Sequence, residues 1–191
     1  MTDPRQGRPR GSRSARDMVL SMLPLVAVAL ALAGFAGMCS VSPGGPTTDP
    51  RTVPSVDAAA ELDRAAGAVA FPLREPVLPR GWRPTSASVD RVGPVQAVRV
   101  GWLTPSHDYL RLSQSAAVES ELVAFETRQQ VAATGAVQAA GRTWVRYPSV
   151  RDELAWVTDL GDVRLLITGN AAESEFRTLA RAVLPGRVLE G

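Results

Sequence analysis

The only imidazole in the chain is His107, in the run Thr104-Pro105-Ser106-His107-Asp108, and the only thiol is Cys39, inside an uncharged stretch. A Ser/His/Asp triad is built from separated positions, so three neighbours in a turn do not make one. His107 reads as an exposed turn residue. One histidine and one cysteine leave a zinc ion short of ligands, and a lone cysteine forms no disulfide within its own chain. The carboxylates that stand close together, Asp152-Glu153 and Asp159 with Asp162, lack the regular alternation of oxygen ligands in a calcium loop and read as solvated turn charges. There is no glycine-rich phosphate loop and no Gly-x-Ser-x-Gly elbow. The expectation is no catalytic residue, no metal ligand and no cofactor.

Trp82, Trp102, Trp144 and Trp156 stand out in a chain that is only 5% aromatic. A domain rich in Ala and Val needs large side chains to fill its interior, so these are expected in the core. The alternative puts one or two of them, Trp82 first, along a sheet groove that takes an apolar ligand or peptide.

Placing these residues starts with Met18 to Val41, 24 residues without a charge. A bilayer span needs about 20. This stretch is expected to be a transmembrane helix. It is longer than the apolar region of a cleavable signal peptide, although Gly34-Phe35-Ala36 resembles a cleavage site. Met38 is poorly suited to a lipobox before Cys39, and no paired arginines mark twin-Arg export. Arg5, Arg8, Arg10, Arg13 and Arg16 precede the span, whereas Asp49 is the only charge between it and Arg51. Arginine is retained on the cytoplasmic side, so the N-terminus is expected inside and everything after Val41 outside the cell membrane.

Charge follows the same partition. The chain carries a net +2, but residues 1–17 alone hold five Arg and two Asp, leaving the remainder slightly acidic. The basic tail suits a topology signal and anionic lipid, and no nucleic-acid partner is expected. Residues 1–17 are expected to be a disordered cytoplasmic tail, too short for a signalling domain. Residues 42–54, with Pro43, Gly44, Gly45, Pro46, Pro50 and Pro54, read as a linker. Residues 55–191 are long enough for one domain with its own core.

Within that domain, Ala58, Leu62, Ala65 and Val69 recur at helical spacing, with Asp57 or Ser55 as N-cap, predicting a helix over 57–70. Prolines punctuate the run from Pro72 to Trp82, which reads as an irregular extended wrap. The period then becomes two. Residues 87–91 and 95–103 flank Gly93-Pro94 as a hairpin, and residues 109–114 follow the turn at His107. Residues 119–132 fit a helix better than a strand. Two more hairpins are predicted over 137–147 and over 154–159 with 163–168. A last helix is predicted behind Asn170 as N-cap and Glu173, carrying Phe176, Leu179, Ala180 and Val183. The expected fold is α+β: a curved antiparallel sheet of about six or seven strands with a helix at each end of the domain.

Arg16-Asp17-Met18, Pro79-Arg80-Gly81-Trp82, Trp102-Leu103-Thr104-Pro105 through Leu112-Ser113-Gln114, Gly141-Arg142-Thr143-Trp144 and Thr168-Gly169-Asn170, taken in this order, resemble the actinobacterial single-pass proteins with domain of unknown function 4245. The resemblance spans nearly the whole chain. It implies an extracytoplasmic α+β domain behind an N-terminal anchor and brings no activity or catalytic residues with it. The function expected is a non-catalytic binding or accessory domain of the cell envelope, acting on a protein partner or an apolar ligand. The alternatives are a structural or assembly subunit of a membrane complex and a hydrolase that uses carboxylates alone, which would need two of them facing across a cleft.

Overall fold

The computed structural model describes residues 22–24 and 55–190. The tail of 1–17, the linker of 42–54 and all but Met22–Pro24 of the expected span lie outside the described residues. Among the described residues no helix is long and apolar enough to cross a membrane.

Helix α1 (Ala58–Ala66) starts at Asp57, whose side chain accepts from the Ala60 amide at 3.1 Å. It stops at Gly67, short of the expected residue 70. Strand β1 (Leu73–Glu75) follows, then β2 (Arg83–Val92), β3 (Val95–Leu103) and β4 (Tyr109–Ser115). Helix α2 (Glu119–Thr127) leads to β5 (Gly135–Ala139), β6 (Arg142–Pro148), β7 (Leu154–Asp159) and β8 (Arg164–Gly169). Helix α3 (Glu173–Val183) and β9 (Arg187–Leu189) end the domain.

Seven strands form one antiparallel sheet in the order β2-β3-β4-β8-β7-β6-β5. It is open and not curled, unlike the curved sheet expected. Curvature is built from repeated bulges and glycine kinks, and the strand pairs show a single register shift, between Pro84 and Ser86. The expected hairpins are present, and β4 lies against β8 with Leu110 opposite Gly169. Gly169, at φ 153°, is required here: a Cβ would stand 2.0 Å from the Tyr109 carbonyl oxygen.

Two further features depart from the sequence reading. The proline-rich wrap contains β1, which pairs with β9 as Leu73 opposite Leu189. The side-chain amide of Gln114 clasps the Arg74 backbone, its Oε1 accepting from the N–H and its Nε2 donating to the carbonyl at 2.8 Å each. A three-residue strand between Pro72 and Pro76 carries no periodicity to detect, and its partner is more than 100 residues away. The second departure is the start of α3. Ala172 is its N-cap, without a side-chain bond, because Asn170 is engaged elsewhere, accepting from the Tyr109 amide at 2.8 Å.

The sheet has two unlike faces. On one, Val98, Val100, Trp102, Leu110, Leu112, Trp144, Trp156 and Ile167 pack beneath α1 and α3 in the main core. Trp156 lies between Trp144 and Phe176, with ring centroids at 6.5 and 5.1 Å. Trp102, Trp144 and Trp156 are buried, and Trp82 is half-buried against the same cluster. Gly81 and Gly141, in turns ahead of Trp82 and Trp144, both have positive φ. On the opposite face a smaller cluster, including Ala97, Ala155, Val157 and Leu166, meets Leu122 and Val123 of α2.

Candidate binding site

Helix α2 is fixed to the smaller face by charge as well as by Leu122 and Val123. Its Glu126, with a wholly buried side chain, accepts from Ser113 Oγ at 2.6 Å and lies 2.7 Å from Arg111 Nη2 and 2.9 Å from Arg99 Nε. Arg99 also reaches Asp90 at 2.9 Å, and Ser88 Oγ donates to Asp90 at 2.7 Å. The Ser88 hydrogen bond holds the Asp90 carboxyl below the usual carboxylate range; burial opposes this and Arg99 adds to it. Arg99 and Arg128 both stand 5.1 Å from the centre of the Phe125 ring, a cation–π arrangement. Strand alternation explains the assembly. Arg99 and Arg111 occupy positions of β3 and β4 opposite to those that carry the main core, so they project toward α2.

Beside this anchor the helix leaves part of the sheet open. A groove of ≈ 840 Å³ beside α2 is lined by the apolar Val123, Ala124, Val131 and Ala132 and by the polar Glu119, Ser120, Glu121 and Gln130. Tyr147 also lines it, and its Oη donates to Glu119 Oε1 at 2.6 Å. Burial, followed by the Glu119 carboxylate, pushes the Tyr147 phenol up to about 12. A neighbouring hollow of ≈ 470 Å³ shares Glu119 and is lined by Arg142, Thr143, Val145 and Asp159. Two carboxylates thus border one hollow, each with a fixed donor. Glu119 holds Tyr147, while Asp159 holds Arg164 at 2.7 Å and the Gly161 amide at 2.8 Å.

The chemistry-bearing residues singled out from the sequence are not gathered here. His107 sits in an exposed turn at φ 67°, its amide donating to the Thr104 carbonyl at 2.9 Å. Asp152 and Glu153 precede β7, and Asp162 lies in the β7–β8 turn. Among the described residues no three His, Cys, Asp or Glu stand close enough to hold a metal ion. Trp82 does not line the groove along α2. Glu119, Glu126 and Tyr147 were not singled out as site residues. One signal was available: Glu126 follows Leu122 by four residues, placing a carboxylate on a buried helical stripe that arginines at sheet-facing positions would have to answer.

The family model described as "Protein of unknown function (DUF4245)" matches residues 10–183. No curated protein and no solved structure matches the chain.

Proposed function

The chain belongs to the DUF4245 family, and from that premise we propose that it is a non-catalytic binding or accessory domain of an actinobacterial cell envelope. Residues 18–41 hold it in the membrane as a single span, the basic tail stays in the cytoplasm and the α+β domain works outside. The groove along α2 receives a polypeptide segment of an envelope partner, with apolar side chains on Val123 and Val131 and a basic side chain at the Glu119 and Glu121 edge. The observation that carries this reading is the groove itself, lined by apolar side chains and two acidic ones beside a helix held by a buried carboxylate. Rigid placement of the helix keeps the groove formed before the partner arrives, which lowers the ordering cost of binding.

A photo-crosslinking amino acid placed at Val131 of the full chain in cells tests it. A discrete protein adduct is expected, and it should vanish when Glu119 and Glu121 are both replaced by Arg. Lipid adducts, or a protein adduct indifferent to that reversal, would sink the assignment. Protease added to intact cells should remove the domain, and protection would overturn the orientation.

A further inference from the structure

The two end strands of the sheet differ in what covers their outer backbone. At β5, Arg177 Nη1 donates to the Gln138 carbonyl at 2.7 Å, occupying one of the few outward groups of a five-residue strand. At β2 the ten-residue strand pairs, among the described residues, with β3 alone. The hairpin fixes which groups face outward. Val92 and Val95 flank the two-residue turn Gly93-Pro94, so Val92, Asp90 and Ser88 bond to β3 while Arg91, Val89 and Ala87 turn their N–H and C=O away. Among the described residues no hydrogen bond reaches those outward groups. Pro84 and the register shift beside it protect only the first end of the strand. Val89, in the middle of the free part, is 43% exposed.

We propose that this edge pairs with the same edge of a second copy of the chain, antiparallel and two-fold symmetric, centred on Val89. That register sets Val89 against Val89 and Ala87 against Arg91, so all three outward residues exchange both backbone bonds with the partner strand. Side chains support the same register. Glu61 of α1 lines a small hollow with Ala87 and Val89, so the Arg91 that arrives opposite Ala87 meets the other copy's Glu61, and symmetry repeats the contact. Arg91 is exposed, and among the described residues of one chain Glu61 pairs with the neighbouring, exposed Arg64. On the other face Asp90 comes opposite Ser88, the pairing these two residues already make within one strand. The inference is independent of the groove along α2, which lies on the other side of the sheet from α1.

Cross-linking in membranes tests it, with the full chain carrying Cys39→Ser and Val89→Cys. Opposed hydrogen-bonded residues sit about 5.5 Å apart at Cα, within disulfide range. Mild oxidation should give a covalent dimer, whereas Val77→Cys, at the more exposed Val77, should not. Equal cross-linking of both, or of neither, would overturn the proposal. Arg91→Glu should weaken dimerisation about tenfold by setting like charges together at two places, and adding Glu61→Arg should restore it. A dimer unmoved by Arg91→Glu would rule out this register. Val89→Pro removes an outward N–H without touching the β3 ladder; it should keep native circular dichroism and give no dimer in light scattering.

Discussion

The two faces of one sheet are held down by different physics. Beneath α1 and α3, Trp144, Trp156 and Phe176 fill volume with no exposed surface left, and helix placement follows from shape. Beneath α2, a carboxylate with no access to solvent is shared by two arginines and a serine, and charge pairing adds to the packing of Leu122 and Val123 in placing the helix. Packing tolerates any arrangement that excludes water and fills space. A buried ion tolerates only the position where its partners converge. The buried ion therefore fixes where α2 lies over its own apolar cluster and leaves sheet surface beside it open, while two helices cover the other face.

Substitutions should separate the two. Trp156→Ala should have the largest effect, about 4 kcal/mol lost in chemical denaturation, because the ring contacts two other aromatics and its removal leaves a cavity. Glu126→Leu should cost about 3 kcal/mol by taking the shared carboxylate from two guanidinium groups, of which Arg99 keeps Asp90 and Arg111 keeps its partial exposure to water. Combining Glu126→Leu with Arg99→Met, Arg111→Leu and Ser113→Ala should return stability to within about 1 kcal/mol of the parent, since apolar replacement of the buried ion together with its buried partners is close to neutral. If this combined variant stays as unstable as the single one, the contrast between the faces fails.

The smallest effect concerns pH. The folded Tyr147 phenol stands at about 12 against an ordinary value of 10.0. A phenol that holds its proton more tightly when folded contributes its full stabilisation below about pH 10 and loses it as pH climbs toward 12. The melting temperature should therefore fall across that window, and Tyr147→Phe should flatten this part of the curve.

This contrast also explains which parts of the molecule were legible in the chain. Alternation at Val98, Val100 and Trp102 and helical spacing at Phe176, Leu179 and Ala180 mark the apolar face directly, because burial by shape leaves a periodic apolar trace. Arg99, Arg111 and Glu126 look like solvent-facing residues until the strand and helix that carry them are brought together. The groove is hidden for the same reason: its lining comes from α2, the segment after it and Tyr147 of β6. Strand β1 depended on β9, and Asn170 on Tyr109. Each of these is a long-range partnership, which local pattern does not encode.

The meeting of β4 with β8 has a kinetic consequence. Every other neighbour pair in the seven-strand sheet joins strands consecutive in the chain, so β2-β3-β4 and β5-β6-β7-β8 can each zip up by short loop closures. Joining Leu110 to Gly169 demands closure of a loop several times longer, and slow folding follows topology of this kind. The pace of folding is then set by how often two half-sheets, each already assembled, collide with the Gly169 backbone turned toward Tyr109.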